Sequence, residues 1–332
     1  MSPHATAQHF ELIDLHPAPT DVHKAVIDGL NRSPKQLPAW LLYDREGSAL
    51  FDAICQQPEY TLTRLEKDLL STQAQAIAEA LPARSVVVEF GAGSAEKVSP
   101  LLDAIDEPSY LAIDISAGHL KGAGTRLQER HPSVPMLGIC ADYSQPLELP
   151  LPEAWQSKPM VGFFPGSSLG NFEPDAAVNF LQRIRQLLGE SAQLLIGIDQ
   201  PREPALLEAA YDDKAGVSAA FAKNLLFRLQ RDLAIELDPE PFSYQATWEP
   251  EHQRIAMALV ANIPQTWTVG PSSVPFSAGE ALITEYSYKY APSDFVALAA
   301  QAGWQAGLRW CDAADHFSLH LLTQGDDARI NA

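Results

Sequence analysis

Cysteine is scarce in this 332-residue chain: Cys55, Cys140 and Cys311 stand far apart and are odd in number. That leaves no disulfide framework and fits buried thiols in a reducing compartment. There is no Cys-x-x-Cys pair and no His-Glu-x-x-His run, so no metal site is expected. No stretch of eighteen apolar residues occurs, and the opening MSPHATAQHF has neither a basic region nor an apolar run. Neither a membrane span nor a secretory signal is expected, which points to the cytoplasm. Basic residues are few, 23 against 42 acidic ones, and the resulting net charge of −19 is relieved by no Lys/Arg cluster. Such a surface repels phosphate backbones and speaks against nucleic acid as a partner. Internal repeats and low-complexity tracts are also lacking.

What is present is an ordinary globular composition, 46% hydrophobic, sufficient for one large or two moderate domains without metal or disulfide support. The stretch up to about Tyr60, with prolines at 17, 19, 34, 38 and 58, reads as irregular. A strong helix follows, with Thr63 and Glu66 in a capping-box pattern and Leu65, Leu69, Leu70 and Ile77 as its apolar face. Then strand and helix signals alternate. Ser85–Phe90, Tyr110–Asp114, Val134–Ile139, Met160–Phe164 and Gln193–Ile198 are apolar strand candidates. Ala95–Ile105, Ala117–Glu129 and Ala176–Leu188 are the helices between them. Continuously apolar strands alternating with amphipathic helices predict a parallel sheet covered on both faces. After Asp199-Gln-Pro201 come two helices (Glu203–Tyr211, Val217–Leu233) and strand-like runs including Ile255–Val260 and Leu282–Tyr290. A last helix, Ser293–Ala302, and two strands, Leu308–Cys311 and His316–Leu322, return to the sheet. The pattern is a doubly wound α/β domain interrupted by an insertion, which packs with the N-terminal stretch.

The first strand runs into Glu89-Phe-Gly91-Ala-Gly93-Ser94-Ala-Glu96-Lys97, where glycines at 91 and 93 allow a tight turn and close approach of a ligand. The second strand ends in Asp114, whose carboxylate can accept both hydroxyls of a ribose. Glu96 occupies the third-glycine position of a dinucleotide fingerprint and would set a negative charge beside phosphates. The turn therefore suits S-adenosylmethionine, a nucleoside without phosphate that carries a sulfonium cation. Asp142, just after the third strand, is placed to bond the adenine amino group, or else is a solvated loop carboxylate.

Seven blocks in order carry a family resemblance. They are Tyr43-Asp-Arg-Glu-Gly-Ser-Ala-Leu-Phe51, Pro58-Glu-Tyr60-Thr-Leu-Thr-Arg64-Leu-Glu66, the Glu89–Lys97 turn, and Pro165-Gly166-Ser-Ser-Leu-Gly170-Asn171-Phe-Glu-Pro174. Ala210-Tyr211-Asp-Asp-Lys-Ala-Gly-Val217, Glu251-His-Gln-Arg-Ile-Ala-Met257 and Thr284-Glu285-Tyr-Ser287 complete them. Over roughly residues 36–323 the chain resembles the histidine-specific methyltransferases that make hercynine, the betaine precursor of ergothioneine. The resemblance implies a Rossmann-like, S-adenosylmethionine-dependent methyltransferase core, 62–201 plus 290–326, and an inserted substrate-binding domain, 8–61 plus 202–289. It also implies roles. Gly91, Gly93, Lys97, Asp114 and Asp142 hold the cofactor; Asn171 and Tyr211 hold the substrate carboxylate. Gly166, through its carbonyl, and Ser168 surround the amino group and form the catalytic set with Tyr60, which also lies beside the carboxylate. Glu285 and Ser287 bind the imidazole nitrogens, and Met257 lines that pocket. A monomer acting on a small amino acid is expected.

Neutral imidazole has one donor and one acceptor, which a carboxylate and a hydroxyl two residues apart on one strand face can match. Indole has no second nitrogen for Ser287, although relatives in this family methylate tryptophan derivatives. Two other readings stay open on sequence. Gly166-Ser-Ser168-Leu-Gly170 formally matches the GxSxG of a serine hydrolase. A cofactor-binding regulator without catalysis would keep the glycine turn alone.

Overall fold

The computed structural model describes residues 10–15 and 19–324. Residues 8, 9, 16–18, 325 and 326 of the expected domain ranges lie outside the described residues, as does most of the opening stretch read for a secretory signal. In chain order the first elements are β1 (Glu11–Asp14), α1 (Pro19–Leu30), β2 (Lys35–Gln36), α2 (Arg45–Ile54) and α3 (Leu62–Ala80). Next come β3 (Val86–Phe90), α4 (Ser99–Ala104), β4 (Ser109–Asp114), α5 (Ala117–Arg130) and β5 (Met136–Cys140). β6 (Met160–Phe164), α6 (Pro174–Leu188), β7 (Gln193–Asp199), α7 (Pro204–Tyr211) and α8 (Val217–Leu233) follow. The chain then forms β8 (Phe242–Glu249), β9 (Arg254–Ala261), β10 (Gln265–Val269), β11 (Ser272–Phe276) and β12 (Ala281–Tyr288). It closes with α9 (Pro292–Gln301), β13 (Trp304–Cys311) and β14 (Phe317–Gln324).

Eight strands form the main sheet in the order β1-β5-β4-β3-β6-β7-β14-β13. The strands from β1 to β7 are parallel, and the terminal hairpin β13–β14 joins antiparallel to β7. The central strands are buried on both faces, as their unbroken apolar sequences require: Val86–Phe90 and Met136–Cys140 are buried at every position. This is the Rossmann-like methyltransferase core expected from the sequence. The second sheet, β2-β12-β9-β8, is antiparallel except for β2, and β10 and β11 form a separate hairpin. No helix among the described residues is long and apolar enough to cross a membrane.

Four sequence expectations change. The stretch before Tyr60 is structured: Pro19 opens α1, Pro38 precedes a 3-10 turn at Ala39–Leu42, and Pro58 lies just ahead of α3. Prolines at element starts lack only an N–H that would go unbonded there. Within that stretch β1 pairs in parallel with β5, so residues 11–14 extend the main sheet instead of joining the second unit. The helix expected over Ala95–Ile105 begins only at Ser99, because Ala95 takes φ 55° in the turn before it. The capping box is absent. α3 starts at Leu62 behind Thr61, with no side-chain cap, and Glu66 is fully buried. Its carboxylate accepts the Gly166 N–H at 2.8 and 3.0 Å and pairs with Lys97 at 2.7 Å. A buried charge needs partners more than a helix end needs a cap.

Glu89, at the heart of β3, is also buried, with the Tyr110 hydroxyl donating to it at 2.5 Å. Burial pushes its carboxyl from an ordinary 4.5 up to about 8, against the pull of that hydrogen bond and of Lys97. Between those values the folded chain holds a proton that the unfolded chain has released, so stability falls as pH rises through this window. Glu89→Gln should leave the ligand-free chain's melting temperature little changed near pH 5 and several degrees above wild type at pH 8.5. Parallel pH profiles of the two proteins by calorimetry would show that Glu89 is not the titrating group.

Candidate active site

The carboxyl ends of β3, β4 and β6 face the small sheet across a cavity. Tyr60, Gly91, Gly93, Asp114, Gly166, Ser168, Asn171, Tyr211, Met257, Glu285 and Ser287 all line it. Residues as far apart in sequence as Tyr60 and Ser287 thus share one space. Lys97 lies in an adjoining cleft that also touches Tyr60, Gly91, Gly93, Gly166 and Ser168. Asp142 lies in a second one beside Tyr143, Asn171 and Glu285, and its Oδ1 is taken by the Ser144 N–H and hydroxyl, at 2.9 and 2.6 Å. Asp142 therefore caps its own loop, and its second oxygen is left for a ligand.

At the glycine turn, Gly91 and Ala92 both donate to the Ile113 carbonyl, tying the loop to β4. Gly91 and Gly93 have φ of 73° and 51°, and a Cβ on Gly93 would enter empty space with nothing within 4 Å. Asp114 accepts the Gly93 N–H at 2.8 Å on one oxygen and the Ser116 N–H at 2.9 Å on the other. Burial raises its carboxyl above the ordinary range despite these bonds. Each oxygen keeps a lone pair toward the cavity, beside a stretch of bare backbone. The turn fits a nucleoside.

Opposite stands β12. A β-bulge between Ile283 and Glu285 shifts its register against β9, and bulges re-aim the side chains that follow. Glu285 and Ser287 then face the cavity, 8% and 4% exposed, while Tyr286 and Tyr288 pack into the core on the other face. The exposed strand face that composition alone suggests does not occur. Burial pushes the Glu285 carboxyl up to about 8, with Lys289 pulling the other way. Its Oε1 accepts the Asn171 amide at 2.8 Å. Asn171 closes a 3-10 turn, Ser168–Asn171, and α6 starts only at Pro174 behind Glu173. Asn171 is thus no helix cap. The turn presses on β12: a Cβ on Gly170 would stand 2.5 Å from the Tyr288 carbonyl oxygen, so only glycine lets these backbones meet.

Ser168 donates to the Pro165 carbonyl at 2.9 Å, and a turn follows it where a nucleophile elbow needs a helix. Nothing in this arrangement activates a nucleophile. Tyr60 and Tyr211 meet edge to face, with ring centroids 5.8 Å apart. Burial holds the Tyr60 hydroxyl well above the ordinary phenol range, so it stays protonated.

Sequence reasoning missed two groups at the site. Glu66, read as a capping residue, fixes the Gly166 peptide from behind. Lys289, fully buried, donates to Tyr211 at 2.6 Å and Ser287 at 2.8 Å and pairs with Asp199 at 2.9 Å. The period-two alternation Glu285, Ser287, Lys289 was the available signal.

A sequence profile of the family described as histidine-specific methyltransferase, SAM-dependent, matches residues 22–324. The chain belongs to that family. As a member of the histidine-specific methyltransferases it is an S-adenosylmethionine-dependent enzyme, and the glycine turn with Asp114 is the place in this chain that suits the cofactor. A histidine N-alpha-methyltransferase of Mycolicibacterium smegmatis is 36% identical over 89% of this chain and 92% of its own. One from Mycobacterium tuberculosis is 34% identical, over 91% and 95%. A 4-dimethylallyltryptophan N-methyltransferase of Epichloe festucae var. lolii is 28% identical over 90% and 93%.

Proposed function

We propose that the enzyme transfers three methyl groups in succession from S-adenosylmethionine to the α-amino nitrogen of L-histidine. The product is hercynine, for ergothioneine biosynthesis. One observation supports the substrate above all: a buried carboxyl and a buried hydroxyl, Glu285 and Ser287, open side by side onto the cavity that holds the glycine turn. An imidazole can meet both, whereas an indole has no second nitrogen to offer the Ser287 hydroxyl. The higher identity to histidine enzymes than to the tryptophan-derivative enzyme points the same way.

In this reading the eight-stranded sheet carries the cofactor, and the small sheet with α1, α2, α7 and α8 binds the amino acid. Asp114 takes the ribose hydroxyls, Gly91 and Gly93 lie along the cofactor, Lys97 meets its carboxylate end, and Asp142 meets the adenine. When bound, S-adenosylmethionine supplies an electrophilic methyl on sulfonium. Asn171 and Tyr211 hold the substrate carboxylate. The Gly166 carbonyl, on the residue whose N–H Glu66 holds, accepts one amine N–H and so aims the nitrogen; Ser168 and Tyr60 wall the same space. Met257 lies against the ring. Each transfer makes one N–C bond as one S–CH3 bond breaks, leaves S-adenosylhomocysteine and releases one proton. Tyr60 keeps its own proton, so its oxygen acts as an acceptor and not as an ionised base. Proximity and orientation are the chain's main contribution, worth at most ~7–11 kcal/mol.

The groups around the amine are small, and one carbonyl cannot hold every N–H, so nothing stops the nitrogen at one methyl. With excess cofactor, mass spectrometry over the standard amino acids should find histidine alone converted efficiently, ending at the Nα-trimethyl species. Dimethylhistidine should also be consumed. A monomethyl end point would remove the trimethylation, and preference for another amino acid would remove the histidine reading.

A further inference from the structure

The mechanism above leaves a buried cation unused. Lys289 follows Ser287 by two residues, just past the end of β12, and its side chain has no solvent contact. An ammonium has three N–H donors. The Tyr211 hydroxyl accepts one at 2.6 Å and the Ser287 hydroxyl another at 2.8 Å, and Asp199 Oδ2 pairs with the ammonium at 2.9 Å. Asp199 is shared, because Arg202 donates to its other oxygen at 2.5 Å. Two cations on one carboxylate leave one positive charge uncompensated.

The proton count fixes what the two hydroxyls do. Each already accepts from Lys289. They stand 2.9 Å apart, and one of them donates to the other. That mutual bond uses one of their two protons. The second is free to donate into the cavity, which both residues line. This end of the cavity therefore offers a donor backed by positive charge, and it suits an anionic oxygen or an unprotonated ring nitrogen. Burial works against the ammonium, yet Asp199 and Tyr211 outweigh it and hold it above the ordinary lysine range.

We propose that Lys289 is a positioning residue for the substrate: acting through Tyr211 and Ser287, it leaves one hydroxyl proton to donate into the cavity and sets an uncompensated positive charge behind the α-carboxylate. The inference rests on the placement of the carboxylate at Tyr211 given above. A lysine that merely filled the core would stabilise the fold without telling a carboxylate from a neutral group.

The test is calorimetry on the full chain saturated with S-adenosylhomocysteine, comparing L-histidine with L-histidinamide, whose carboxylate is replaced by a neutral amide. Wild type should favour histidine by about tenfold or more. In Lys289→Met that preference should fall below about twofold, with affinity for S-adenosylhomocysteine unchanged. If Lys289→Met keeps the wild-type preference, the inference fails. Tyr211→Phe separates this from failure of the underlying placement. Loss of preference in Tyr211→Phe with its retention in Lys289→Met sinks only the role of Lys289. Retention in both, or no preference in wild type, sinks the carboxylate placement and the inference with it. If Lys289→Met no longer binds S-adenosylhomocysteine, Lys289→Met/Asp199→Asn, which strands no carboxylate, takes its place under the same criteria.

Discussion

Glu285→Ala is expected to lower kcat/KM for histidine by about a hundredfold or more, the range seen when a site built to hydrogen-bond its substrate loses the partner. Removing the carboxyl strips one side of the ring of its partner and leaves the Asn171 amide without its acceptor. Folding should not suffer in proportion. A carboxyl whose value rises from 4.5 to about 8 on burial costs stability as pH rises through that interval. Above pH 8 its removal relieves that cost, which offsets the cavity left behind. Tryptophan, tried alongside, should gain activity as the pocket widens and loses its acid. Steady-state kinetics on both amino acids, with melting curves at pH 6 and 8.5, check the claim. Wild-type kcat/KM on histidine in the variant would take Glu285 out of the ring pocket.

Asp114→Ala should weaken S-adenosylmethionine binding by about a hundredfold, since two charge-assisted hydrogen bonds to a ribose are each worth about 1.5–3 kcal/mol. Part of the loss comes from the turn, because the same carboxylate holds the Gly93 and Ser116 amides. Asp114→Asn separates the two contributions. Its side-chain oxygen can keep one amide while its NH2 group repels the other. Unchanged calorimetric affinity in Asp114→Ala would remove the residue from the cofactor site.

The sequence was most legible where local pattern and tertiary environment demand the same thing. The apolar run Val86–Phe90 can only be a strand covered on both faces, and the glycines after it have no better use than a ligand-facing turn. It was least legible where one pattern serves two ends. Thr63-x-x-Glu66 is spelled like a helix cap, but the carboxylate's partner is an amide 100 residues away, which no local rule reaches. Lys289 looks like a strand leaving for solvent. What buries it is Asp199, on another strand of another sheet. The bulge before Glu285 has no glycine to announce it and follows from register between β9 and β12. Asn171 and Glu285 were assigned to opposite ends of a substrate, yet the Asn171 amide donates to the Glu285 carboxyl at 2.8 Å.

The contact between Gly170 and Tyr288 has a bearing on which molecules fit. It joins, backbone to backbone, the turn proposed to aim the amine and the strand proposed to grip the ring. The span between those two grips is therefore a fixed gauge, and neither side can slide to meet an ill-sized guest. A histidine homologue with one extra methylene carries the same ring, carboxylate and amine, but its nitrogen overshoots the reacting position. One with a methylene fewer falls short of it. Length is measured by a peptide seam that touches neither end of what it measures.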